Sequence, residues 1–275
     1  AVLKELGISE KDIDRIKDVP YQELYNAGQR AMAASIGTRR PGTPMMWGFG
    51  PTPDGEVVLQ QPFQPGFADI SSNVPLLIGT TFNELQRLNY NRNITLEQAR
   101  TELQRTFADE TDAYIDAFAE AYPDYTPQDL LSIDWLFRPK TIITADYVAK
   151  SRKAKTYTYM FTWRSPINKG SVHGNELNFC FNTLERAGNE LPQPTEQDYE
   201  LADIMSSVWA QFAKTGNPNI KELPKWKAYT AKNGEMMIFD YNCEIRNNPD
   251  RKLEEIIDRH CFKQLDEFRK KQAGK

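Results

Sequence analysis

The stretch VPLLIGTTFNE, residues 74–84, sets a continuous apolar run against a glycine and then a row of polar residues. A short run without alternation fits a strand covered on both faces, as in a parallel sheet lying under helices. Two more stretches have strand character. KTYTYMFTW, 155–163, owes it to aromatic and β-branched residues, and EMMIFDY, 235–241, to its apolar core. The segments around them read as helices: TLEQARTELQRTF, 95–107; ETDAYIDAFAEAY, 110–122, closed by Pro123; and RPKTIITADYVAKSRKA, 138–154, with Ile142, Ala145, Val148 and Ala149 on one face. TEQDYELADIMSSVWAQFAKTG, 195–216, is a fourth, ended by Gly216. Strands separated by helices imply an α/β layered sheet.

The remainder reads more simply. SEKDIDRIKDV, 9–19, looks like a helix capped by Ser9, and YQELYNAGQRAMAASIG, 21–37, has apolar residues at helical spacing. Residues 37–69 are rich in Gly and Pro, so loop and short strand are expected there, with Asp54 forming the PDGE turn before VVL. PDRKLEEIIDRHCFKQLDEFRKK, 249–271, is a charged amphipathic helix. Its run RKLEEIIDRH reads as a surface face, with His260 solvated. Trp209, Phe212 and Trp226 are core candidates.

Composition narrows the classes. With 275 residues, 40% hydrophobic and 11% aromatic, the chain can bury a sizeable core. Its net charge of −4 comes without any basic stripe carrying interleaved aromatics, so no nucleic-acid groove is indicated. The longest apolar runs are too short to span a bilayer. Cys180, Cys243 and Cys261 lack CxxC spacing and are odd in number, which argues against zinc and against a disulfide framework. The triplet NIT, 93–95, fits a glycosylation acceptor but decides nothing. The opening AVLKELGISEKDIDRIKDVP reads as an amphipathic helix already under way, which suggests a fragment or processed piece. A signal for secretion or the periplasm would lie upstream of Ala1.

Two ionisable residues follow strand ends. Glu84 lies five residues beyond Gly79, and His173 lies ten beyond Trp163, in SVHGN. Chemistry in open α/β sheets gathers at the carboxyl ends of strands, so the two could meet there. A carboxylate that orients an imidazole is the acid–base half of a hydrolase triad. The spacing alone also suits a solvent-facing loop histidine and an acid placed at a helix N-terminus. Glu176, three residues after His173, reads as a maker of structural hydrogen bonds.

Four blocks then resemble one family, in order and over nearly the whole chain. FGPTPDGEVV, VPLLIGTTFNE, SVHGNELNFCF and VWAQFAKTGNPN with LPKWKAY look like the type B carboxylesterases, the group of para-nitrobenzyl esterases and cholinesterases. The resemblance implies the C-terminal part of an α/β-hydrolase fold, mainly a parallel sheet flanked by helices, with residues 1–275 as one incomplete domain. It implies hydrolysis of carboxylic esters through Ser, His and Glu, with Glu84 as the acid, His173 as the base, and no metal or cofactor. Met45 and Trp47 match an acyl-pocket wall, while Arg87 and Leu88 would face the gorge.

The departures carry equal weight. The family's nucleophile stands in Gly-x-Ser-x-Gly, and no such pentad occurs; GSVHG, 170–174, has valine where serine is needed. The elbow and the Gly-rich oxyanion loop are expected in an N-terminal half that precedes residue 1 and would be this chain's partner. Alone, the chain is expected to be inactive and to self-associate through an exposed sheet edge. Cys261 matches a family cysteine whose bridging partner is absent from LFRPKTIITADY. The alternative reading is a non-catalytic, cholinesterase-like binding or adhesion module.

Overall fold

Backbone pairing in the computed structural model is anchored on three parallel strands and closed by a short antiparallel one. The structure describes residues 1–36, 53–59, 71–85, 93–151 and 153–261. They belong to two compact units, 1–60 and 61–275.

In the first unit, helix α1 (Val2–Glu5) leads through a 3₁₀ segment, Glu10–Asp18, to helix α2 (Tyr21–Ile36). The helix expected over 9–19 is thus a 3₁₀ stretch, interrupted at Asp12. Ser9 caps no backbone amide; its hydroxyl bonds the Asp12 carboxylate at 2.8 Å instead. Further on, Asp54 Oδ1 accepts from the amides of Glu56, Val57 and Val58, each at 2.9 Å, which makes the turn that PDGE announces. Those amides hold the Asp54 carboxyl below its ordinary value. Val57 and Leu59 stay exposed.

The second unit runs β1 (Leu76–Thr81), α3 (Leu96–Phe107), α4 (Thr111–Ala121), α5 (Asp129–Ser132), α6 (Arg138–Ser151), β2 (Thr156–Phe161), α7 (Leu177–Cys180), α8 (Glu196–Thr215), β3 (Glu235–Phe239), β4 (Glu244–Asn247) and α9 (Arg251–Cys261). Sheet order is β1-β2-β3-β4. β1 pairs parallel with β2, from Leu76 opposite Thr156 to Thr81 opposite Phe161, and β2 pairs parallel with β3. β4 returns antiparallel, with Asn247 opposite Glu235. All three parallel strands therefore end at one rim.

The two-residue period of a strand sorts side chains onto two cores. Met160, Met236 and Ile238 face one layer, with Leu103 and Phe107 of α3, Tyr114 and Phe118 of α4, and Leu253 and Ile257 of α9. Tyr157, Phe161, Met237 and Phe239 face the other, with Leu201, Met205 and Val208 of α8, Trp163 and Trp226. Trp209 and Phe212 are only partly buried against this second core. Each fully buried aromatic contributes about 1.5–3 kcal/mol of transfer free energy. Helices α3 and α8 start on capping boxes, Thr95 with Gln98 and Thr195 with Asp198. Gly216 ends α8 at φ +70°, and a Cβ there would also press on Pro75.

Three expectations need correction. Leu76 to Gly79 of β1 are half-buried rather than covered on both faces, because β1 has a paired neighbour on one side only among the described residues. The charge run on α9 is no simple surface face: Glu254 and Asp258 are buried beside Leu253, Ile256 and Ile257. His260 is part-buried, 2.7 Å from Glu110 and edge-on to the Phe107 ring.

Helix α6 is tied into the interior by charge. Arg138 Nε and Nη2 donate to the Asp250 carboxylate at 2.8 and 3.0 Å, and the Tyr122 hydroxyl donates to it at 2.7 Å. Burial pushes Asp250 upward, but the Arg138 charge and these bonds outweigh it and hold the carboxyl low.

Candidate active site

At the carboxyl end of β1 the chain turns through Phe82 and Asn83 and places Glu84 at φ +45°, a region non-glycine residues rarely occupy. Two bonds to Thr81 hold it there. The Thr81 amide donates to Glu84 Oε1 at 2.8 Å, and the Glu84 amide donates to Thr81 Oγ1 at 3.1 Å. The carboxylate is thereby buried under its own strand with Oε2 left over.

The loop after β2 is laced to this turn. Asn83 N–H donates to the Ser171 carbonyl and Ser171 N–H donates to Asn83 Oδ1, both at 2.8 Å. Ser171 Oγ donates to the Phe161 carbonyl at the end of β2, and Asn175 Oδ1 accepts from the Val172 amide. Glu84 and Val172 form a parallel bridge, and the His173 amide donates to the Glu84 carbonyl at 2.9 Å. β1 and β2 in effect resume their pairing after a gap.

That register brings the side chains together. His173 Nδ1 lies 2.5 Å from Glu84 Oε2, with the Glu84 side chain 8% exposed and that of His173 58%. With the carboxylate ionised, Nδ1 carries the proton toward Glu84, which leaves Nε2 as a free acceptor on the open side. A half-open imidazole oriented by a buried carboxylate can accept a proton at Nε2, and the carboxylate can steady the imidazolium that results.

Three neighbours were not foreseen in their actual form. Asp134, 2% exposed, accepts from the amides of Leu136, Phe137 and Arg138, while its own amide donates to the Phe82 carbonyl at 2.9 Å. Burial raises its carboxyl, the three amides oppose that, and the charge of Glu84 adds a smaller rise. An Asp a few residues ahead of a helix is a capping signal, so IDWLFRP could have revealed it. Phe137 lies nearly parallel to the imidazole and offset from it, centroids 5.8 Å apart and planes 14° from parallel. Sequence position alone suggests structural hydrogen bonds for Glu176. Its Oε2 is buried with no hydrogen-bond partner among the described residues; burial raises its carboxyl, a bond from its own backbone amide opposes that, and the charge of Glu84 adds a smaller rise.

Met45, Trp47, Arg87 and Leu88 lie outside the described residues. Among the described residues no cluster of three or more His, Cys, Asp or Glu could hold a metal ion. No helix among them is long and apolar enough to cross a membrane.

With this geometry in hand, likeness to known proteins becomes informative. The chain is 29% identical over 266 residues to the para-nitrobenzyl esterase of Bacillus subtilis, an alignment covering 91% of this chain and 50% of that protein. It is 31% identical over 127 residues to rat carboxylesterase 1E, covering 42% of this chain and 21% of that one. Among solved structures, an esterase from anaerobic Clostridium hathewayi, described as able to hydrolyze aliphatic aromatic polyesters, superposes with TM-score 0.79 at 28% identity. That match covers 94% of this chain and 51% of the other. A thermophilic pNB esterase superposes with TM-score 0.65 at 23% identity, over 93% of this chain and 52% of the other, which speaks to the fold. This chain spans about half the length of the relatives that match nearly all of it. The fold is that of the α/β-hydrolase esterases, and with residues 4–256 matching its family model the chain belongs to the carboxylesterase family.

Proposed function

We propose that this chain is the C-terminal portion of a single carboxylesterase domain and supplies the acid and base of a Ser-His-Glu ester hydrolase. The observation that carries the reading is the 2.5 Å contact between Glu84 Oε2 and His173 Nδ1 at the rim where the parallel strands end. A serine on a preceding segment would give its proton to His173 Nε2 and attack the ester carbonyl. His173 then returns the proton to the departing alcohol, which leaves an acyl-enzyme for water to cleave. Glu84 holds the tautomer and balances the imidazolium charge. The substrate is a small-molecule carboxylic ester, and the chemistry requires no metal or cofactor.

The necessary partner is the N-terminal half of the same hydrolase, bringing the nucleophile elbow and oxyanion donors. β1 has one paired neighbour among the described residues, so its other edge is where a further strand would add. Without that half the chain would not turn over esters, and the same edge would promote association between copies.

The test is ester hydrolysis by the full-length protein and its His173→Ala and Glu84→Gln variants. His173→Ala should lose roughly 10³-fold or more in kcat, as loss of a triad base does. Activity of His173→Ala near that of the parent would overturn the proposal.

A further inference from the structure

Hydrogen bonding alone leaves the imidazole of His173 under-restrained. Its side chain is 58% exposed, and its ring has one polar contact among the described residues, Nδ1 to Glu84 Oε2 at 2.5 Å. A ring held at one atom can still swivel about that bond and hop between rotamers, carrying Nε2 away from the position where it must meet a hydroxyl. The Phe137 ring lies beside this ring and nearly parallel to it, with centroids 5.8 Å apart and planes 14° from parallel, inside the range of offset stacking.

The Phe137 backbone is held at both ends although the residue is 37% exposed. Its amide donates to both oxygens of the Asp134 carboxylate at 3.1 Å, and its carbonyl accepts the first helical bond of α6, from Thr141 at 2.8 Å. Asp134 is in turn bound to the Phe82 carbonyl, two residues before Glu84, and Asn83 Nδ2 donates to the Ser132 carbonyl at 2.8 Å. The adjacent Arg138 is clamped on Asp250. The contacts close a circuit from Glu84 through Phe82, Asp134 and Phe137 to His173 and back to Glu84. The imidazole is therefore referenced to the carboxylate by two independent routes, one polar and one apolar.

We infer that Phe137 is a positioning residue that fixes the plane of the His173 imidazole, and that Asp134 sets Phe137 at the end of β1 for that purpose. This rests on the proposal that His173 is the general base. The ring supplies no proton and needs no contact with substrate. It acts by removing the orientations in which Nε2 points elsewhere.

The full-length protein should be assayed for ester hydrolysis as Phe137→Leu, Phe137→Ala and Phe137→Tyr, with thermal melts run alongside. Phe137→Leu keeps apolar bulk but loses the flat face, so it guards against simple unfolding. We expect kcat to fall about tenfold or more in Phe137→Leu and Phe137→Ala, with KM changed less than about threefold. Phe137→Tyr, which keeps the ring, should restore kcat. Parental kcat in Phe137→Leu, a KM increase at constant kcat, or failure of Phe137→Tyr to recover activity would each overturn the inference. The His173→Ala control separates the two claims. If that variant is inactive while Phe137→Leu is unaffected, only the positioning role fails. If it remains active, the hydrolase reading fails and takes this inference with it.

Discussion

Asn83 and Ser171, 88 residues apart in sequence, exchange two hydrogen bonds of 2.8 Å across the rim of the sheet. The pair joins the loop carrying Glu84 to the loop carrying His173 before either of those side chains is reached. Asn83 also reaches the Ser132 carbonyl through Nδ2, so a single buried amide holds three loops together. Replacing it by alanine leaves the Ser171 amide and the Ser132 carbonyl without partners, at about 1–3 kcal/mol for each buried group. Asn83→Ala in the full-length protein should therefore unfold at lower urea, and it should lose ester hydrolysis in conditions where it is still folded. An unchanged urea midpoint would show that these bonds are replaceable by water.

The Arg138–Asp250 pair makes a different kind of prediction, because both charges are buried. Arg138 also lies 3.7 Å from the buried Glu254 carboxylate, so removing the arginine takes the cation from two carboxylates, while removing Asp250 leaves the arginine beside Glu254; a stranded buried charge costs about 3–5 kcal/mol. Arg138→Met should be strongly destabilised and Asp250→Leu less so, and the double variant should lose less than the sum of the two single losses. A double variant at the sum of the two single losses, read from denaturant midpoints, would contradict this account.

A third prediction concerns acid. Glu110 is bonded by Arg259 and by His260, and these bonds, Arg259 foremost, lower its carboxyl from 4.5 to about 2. The folded value lies below the unfolded one, so the stabilisation is complete above pH 4.5 and disappears as pH falls toward about 2. The melting temperature of the parent should exceed that of Glu110→Gln at pH 6, and the two curves should converge in that acid window. Because the pair is partly exposed, added salt should narrow the gap at pH 6. A gap that widened on acidification would refute the assignment.

How far the architecture could be read beforehand depended on how local the signals were. β1, β2 and β3 announced themselves through apolar and β-branched runs, and α8 through Thr195 at one end and Gly216 at the other. β4 was not anticipated: Glu244–Asn247 is four residues long, polar, and a strand only because β3 lies beside it. The solvated reading of His260 failed for a similar reason. Its partner Glu110 is 150 residues away, and no periodicity within α9 discloses a hydrogen bond made with the start of α4. Glu84 and His173 could be picked out as residues following strands, and the family resemblance ordered them, but their contact depends on the bridge at Val172. Asp134 and Phe137 lie just ahead of the helix expected over 138–154, where only the capping signal of Asp134 is local, and the stacking of Phe137 on an imidazole is a tertiary fact.

The left-handed backbone of Glu84 sets a conflict at one position. At φ +45°, aspartate would sit more comfortably than glutamate, since a short polar side chain tolerates that region better. Yet the carboxylate must span from the Thr81 amide to His173 Nδ1, and aspartate is one methylene too short for that reach from the same Cα. Backbone comfort and side-chain length pull toward different residues here. Swapping one acid for the other at this site is thus a trade between two geometric demands, and restoring the imidazole contact with aspartate would require the loop that bears His173 to move inward.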